Sequence, residues 1–169
     1  TKFSISRKSG LSDLIFTNTL FFAGITALLF FLAGLFLSPQ ITALLGADSQ
    51  VAAMTQTYLK MILLFAPAFI LNDILVCFVR NDGNPRLSML AMLGGSMANI
   101  LLDYVFIFPL GMGIFGAVLA TGLAPLISMA IMSGHWMGKN KGFHLAKTEI
   151  QGQTALLILS LGFPSLITE

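Results

Sequence analysis

The chain has 169 residues, 56% of them hydrophobic and 9% charged, with a mean hydropathy of +0.90 and a formal charge of +2. A soluble domain carries about a quarter charged residues and needs a polar skin, so a free-standing water-soluble domain is excluded. No basic or acidic run exceeds two residues, which excludes a nucleic-acid-binding surface and leaves the lipid bilayer as the natural solvent.

The first ten residues (TKFSISRKSG) are polar and basic, in the manner of a loop between helices, and the chain opens without a methionine. Between Asp13 and Asp48 there is no charged residue. The apolar part, residues 14–37, would extend about 36 Å as a helix, enough to cross a hydrocarbon core of about 30 Å. Ser38-Pro39 ends it, and the mixed segment through Gln56 reads as a loop with a short interfacial helix. A second span is expected over residues 58–79, carrying Pro67, the pair Asn72-Asp73 and the single cysteine, Cys77. One cysteine excludes an internal disulfide, and its apolar setting predicts a buried thiol acting as a small hydrophobe.

The segment RNDGNPR, residues 80–86, is a tight polar turn marked by Asp-Gly and Asn-Pro. A third span is expected over residues 87–108, an uncharged hairpin loop over 109–116, and a fourth span over 117–136. Residues 137–153 are polar and basic, and a truncated fifth span begins near Thr154. The runs are too long for strands and lack their alternation. The expectation is therefore an all-α, polytopic transmembrane helix bundle, an interior slice of something larger.

Basic residues orient it. Eight of the nine fall on alternate loops: Lys2, Arg7 and Lys8; Arg80 and Arg86; Lys139, Lys141 and Lys147. Only Lys60 lies near the other side, where its long side chain can snorkel. The positive-inside rule places the N-terminus in the cytoplasm and the hairpin at Gly111–Gly116 outside.

An ionisable group at membrane depth costs about 2.5–3.5 kcal/mol on insertion scales and marks a functional position by default. Asp103 has Asn99 one turn before it, with Gly95 and Ala91 continuing the row. Measured from the flanking loops, Asp103 lies about 25 Å from the inner side and Thr121 about 8 Å from the outer side. Asp103 and Thr121 thus fall at nearly the same level across an antiparallel hairpin, so Asn99, Asp103 and Thr121 are expected to line one small polar pocket whose oxygens suit a proton carried by the carboxyl or a hard cation such as Na⁺. The alternative, amide and carboxyl hydrogen-bonding between helices only to set packing, is less favoured because Asp is ionisable. For Asp73 and Asn72, about 10 Å from Arg80, two readings stay open: lining a cytoplasm-facing cavity, or pairing of Asp73 with a basic residue on a helix outside this chain.

The row Gly116, Ala120, Ala124, Ser128 reads as a helix-packing face, and His135-Trp136 as an interfacial anchor. Pro67, Pro125 and Pro164 fit kinks or static bends. Asp73 and Asp103 differ in depth by about 15 Å, which excludes an intramembrane aspartyl protease, as does the lack of a Gly-x-Gly-Asp motif. No catalytic residue, metal or organic cofactor is expected.

From Arg80 to Met132 the chain resembles the fifth and sixth helices of the multidrug and toxic compound extrusion (MATE) family. The features are Arg80, Gly83 and Pro85 before the helix, Asn99 and Asp103 within it, and then GMGIFGAVLAT. Upstream, PQITALLGA and TYLKMILLFAPAF resemble the third and fourth helices, and LGFPSLITE the opening of the seventh. The resemblance implies part of a two-lobe, twelve-helix antiporter of the inner or plasma membrane. Residues 1–150 would belong to the N-terminal lobe and 151–169 would start the second. Its activity would be export of amphiphilic or cationic drugs in exchange for H⁺ or Na⁺, with the remainder of the same transporter as partner. Asn99, Asp103 and Thr121 would match the family's N-lobe cation site, completed there by an aspartate of the first helix. A lipid-linked oligosaccharide flippase of the same superfamily is the runner-up, disfavoured because the span interiors carry no arginine or lysine; a purely structural membrane subunit is the third reading.

Overall fold

The computed structural model describes residues 2–46, 51–138 and 142–145, the side chains of 2–9 and 11 excepted. The described elements are α1 (Lys2–Phe36), α2 (Ser38–Leu44), α3 (Ala52–Asn81), α4 (Pro85–Ile107) and α5 (Gly113–Trp136). Four stretches are long and apolar enough to cross a membrane: Ser12–Phe36 and the whole of α3, α4 and α5. Among the described residues there is no strand, so the expected all-α bundle with four full spans is what the sequence folds into. The expected fifth span, with Pro164, lies outside the described residues.

Helix ends follow local chemistry. Pro85 occupies the first turn of α4, where its missing N–H costs nothing, and the Asn84 side chain accepts from the Leu87 amide at 3.3 Å. Gly83 makes the preceding turn at φ 86°, a left-handed conformation that other residues resist. Three boundaries differ from expectation. The basic decapeptide at the N-terminus is helical from Lys2 onward rather than a loop. α3 begins at Ala52, six residues before Tyr58, because the polar residues there fit a helix: Thr57 returns its hydroxyl to the Ala53 carbonyl at 2.9 Å. α5 begins at Gly113, so the hairpin loop is shorter than 109–116.

α3 is the shared neighbour of the bundle. It packs against α1 on one side and α5 on the other, with α4 lying mainly on α5. The core is a cluster of Phe16, Leu75, Val76, Val79, Ala91, Met129, Met132 and Phe143. The outer face of α4 is apolar and bare, with Leu90, Leu93, Met97, Ile100, Leu101 and Tyr104 all exposed. A patch of this extent belongs against lipid or further helices. Cys77 lies on an exposed face of α3 rather than buried, because a helix apolar all round gives hydropathy no means to choose its inner side.

The small-residue row of α5 is a packing face. Gly116, Ala120 and Ser128 are buried. A Cβ at Gly95 would stand 3.1 Å from the Ala124 carbonyl oxygen and 3.2 Å from the Ser128 Cβ. α4 and α5 therefore approach with backbone nearly on backbone, which sets the spacing of the side chains one turn beyond.

Candidate functional site

One turn beyond the Gly95–Ala124 approach, Asn99 and Thr121 meet. Asn99 Nδ2 lies 3.5 Å from Thr121 Oγ1, at the long limit of a hydrogen bond. Thr121 in turn donates to the Ala117 carbonyl at 3.0 Å, so its hydroxyl proton is committed and its oxygen faces the amide. Interhelical bonds of this kind are worth about 0.6–2 kcal/mol in a membrane, too little to carry the packing that the glycine row already provides. Asp103 follows Asn99 by one turn of the same helix, and its Oδ1 is buried without a hydrogen-bond partner among the described residues. Asn99 and Thr121 are brought together, whereas Asp103, expected at the level of Thr121, stands one helical turn further along the same row.

An unpartnered carboxylate oxygen away from water is costly unless a proton or a cation meets it. The donor set here is all oxygen: a carboxyl, an amide carbonyl and a hydroxyl. Such a set favours a proton or a hard cation over a soft metal. Among the described residues no cluster of His, Cys, Asp and Glu could hold a transition metal.

Asn72 and Asp73 part company. Asn72 lines a cavity of about 200 Å³ with Phe69, Met92, Gly95, Ser96, Ala124, Pro125 and Ser128, one turn from the Asn99–Thr121 contact. Its Oδ1 and the Ser128 Oγ are buried without partners among the described residues. Asp73 is exposed and is not part of that lining. Among the described residues no basic side chain lies within ion-pair distance of Asp73.

Two features escaped the sequence. Asn18, on α1, is 1% exposed; its Nδ2 donates to the Leu14 carbonyl at 2.9 Å and its Oδ1 has no partner among the described residues. A scan for charges passes over an amide in an otherwise apolar span, and that amide was the available signal. The second is a polar cluster where α3 and α5 end beside Asp13, in the N-terminal third of α1. His135 Nε2 lies 2.9 Å from Asp82 Oδ2, and the Gly142 amide donates to both Asp82 oxygens at 2.9 and 2.8 Å. The His144 amide donates to Asp13 Oδ1 at 2.6 Å. His135 is thus a partner of Asp82 as well as a neighbour of Trp136, whose indole N–H donates to the Met129 carbonyl at 3.1 Å.

Four bilayer-length helices with bare apolar flanks, two of them joined by an amide–hydroxyl contact one turn from a carboxyl whose Oδ1 is buried, define a polytopic helical membrane protein. The MatE family model matches residues 11–105, more than half of the chain, and the chain belongs to that family. Multidrug export protein MepA of Staphylococcus saprophyticus is 29% identical over 170 residues, covering 96% of this chain and 38% of that relative. A solved inward-facing multidrug resistance MATE family transporter of the MOP superfamily is 25% identical with a TM-score of 0.79, covering 95% of this chain and 38% of its own. The outward-facing conformation of a transporter so described is 26% identical, also with a TM-score of 0.79, covering 95% and 36%. The chain therefore spans well under half the length of the relatives it matches. Those relatives are named as export proteins and transporters, not as enzymes.

Proposed function

We propose that this chain forms most of the N-terminal lobe of a secondary multidrug efflux antiporter, exporting amphiphilic or cationic compounds in exchange for H⁺ or Na⁺. The observation that carries the reading is the buried, unpartnered Oδ1 of Asp103, one turn from an amide that meets Thr121 across the hairpin. A group so placed exchanges a proton or a monovalent cation, and only an ion held differently in two conformations can drive uphill export. The export proteins among its relatives support the substrate class. Residues 1–150 belong to this lobe and 151–169 begin the second; the N-terminal end of the chain faces the cytoplasm of a cell whose plasma membrane it crosses. The remainder of the same transporter supplies the other half of the substrate path.

The test is Asp103→Asn in the complete transporter. Ion-driven efflux of a fluorescent cationic dye from cells or proteoliposomes is expected to vanish while membrane insertion stays normal. Undiminished efflux removes Asp103 from the mechanism. An imposed pH gradient and an imposed Na⁺ gradient, applied separately to the unmodified protein, assign the coupling ion.

A further inference from the structure

The segment that follows α5 returns across the ends of the other helices. Residues 142 and 144 turn their backbone N–H groups to two carboxylates on different elements. Gly142 donates to Asp82, which terminates α3, and His144 donates to Asp13 on α1. Between them Phe143 is 2% exposed, its ring 4.9 Å from that of Phe16 on α1 and 5.5 Å from that of Phe78 on α3. Asp82 is also met by His135 from α5. A Cβ at position 142 would fall on the Asp82 carboxylate, so any larger residue there must displace that carboxylate from its bonds. Four consecutive residues thus tie three helices at one end of the bundle, with one buried ring and two charge-assisted backbone bonds.

An independent observation bears on what this tie does. The chain is equally similar, at a TM-score of 0.79 over 95% of its length, to an inward-facing and to an outward-facing transporter. The described fold therefore aligns as well with a transporter in one state as with one in the other. We propose that Gly142–Leu145 is a permanent clasp, not a gate: it stays seated on α1, α3 and α5 throughout the cycle and makes their ends move as one body. The clasp rests on the transport reading for its purpose, though not for its detection. Both of its carboxylates accept from main-chain N–H groups, so exchange of the His144 side chain removes only the imidazole contact to Asp13 at 3.6 Å and keeps both backbone bonds, whereas loss of the ring at 143 or of a carboxylate breaks the clasp.

Two measurements on the complete transporter test it. Ser12 and Phe143 line the same cavity, so Ser12→Cys with His144→Cys, in a Cys77→Ser background, can be joined by a short bis-methanethiosulfonate, whose two disulfide links reductant cleaves. The joined protein is expected to retain at least about half of its dye-efflux rate. A fall below about a tenth, restored by reductant, shows that the segment must leave its seat and overturns the clasp. If the unjoined double variant and the unmodified protein both fail to export, the transport reading is what has failed. Amide hydrogen exchange then decides the clasp alone: the Gly142 and His144 amides are expected to stay protected to within about twofold with and without drug and ion gradient. Exchange that rises about tenfold in either condition overturns it.

Discussion

The Ser88 hydroxyl donates to the Val76 carbonyl at 2.9 Å, a buried bond that joins the start of α4 to the last turns of α3. Val76 lies inside α3, and its carbonyl keeps its own helical donor, so Ser88 supplies a second bond to an oxygen already satisfied. Ser88→Ala therefore orphans nothing and is expected to lower stability by only about 0.5–1.5 kcal/mol. Ser88→Leu must push α4 away from α3 at a position with no exposed surface and is expected to lose about 1–3 kcal/mol. Thermal unfolding of the purified transporter in detergent measures both. Equal losses for the two variants would show that the bond, not the close approach, holds the helices.

The approach of α4 to α5 gives a sharper contrast between two glycines. At Gly95 an added side chain runs into the Ala124 carbonyl oxygen and the Ser128 Cβ, neither of which can step aside without moving a helix. Gly95→Leu is expected to lower stability by about 1–3 kcal/mol and to abolish dye efflux, because it also separates Asn99 from Thr121. Gly134, on the partner helix α5, has open space where a Cβ would go. Gly134→Ala is expected to be neutral or to stabilise by up to about 1 kcal/mol through helix propensity. Melting temperatures and efflux rates of the pair, read side by side, check this.

What the sequence disclosed, and what it hid, follows from how far each signal reaches. The four spans were legible because length and the absence of charge are local properties. That the polar residues of α4 approach Thr121 was legible because a short hairpin fixes the level of one helix against the next; that Asn99 rather than Asp103 makes the contact was not, because a count of residues from the loops is good only to about a turn. Side-chain facing was not: in helices apolar on every side, nothing local says that Cys77 looks out. The boundary at Ala52 was hidden because Thr55, Gln56 and Thr57 look like loop residues until a hydroxyl bonds back within its own helix. The clasp was hidden for a different reason. His135 and Asp82 are 53 positions apart, and His144 and Asp13 are 131 apart, with no periodic pattern to announce either meeting.

Asn18 tests how this protein handles a buried amide. Its Nδ2 is bonded within α1, but its Oδ1 has no partner among the described residues, and the side chain is 1% exposed. Replacing the amide by an apolar group of similar size removes an unsatisfied acceptor together with its one weak bond, and such exchanges are near neutral or stabilising. Asn18→Leu is expected to change stability by less than about 1 kcal/mol, whereas Asn18→Asp, which puts an unpaired charge in the same place, is expected to lose about 3 kcal/mol or more. Thermal unfolding separates the two cases. A large loss for Asn18→Leu would mean that the amide oxygen is satisfied by a group from the remainder of the transporter.

Sidedness follows from charge, and its test has to respect the turn geometry. Gly83, Gly111 and Gly113 all have left-handed φ values, 86°, 61° and 57°, so a cysteine at any of them would strain the turn it reports on. Leu110, exposed in the uncharged hairpin, and Asn81, exposed in the last turn of α3, are free of that strain. Cys77 is itself exposed and must first become serine. In intact cells, the proposed orientation, which rests on the basic residues flanking Asn81 and the positive-inside rule, makes Leu110→Cys expected to react with a membrane-impermeant maleimide at least about ten times faster than Asn81→Cys. Permeabilising the cells should bring the two rates together. The reverse ratio would overturn the proposed orientation of the whole bundle.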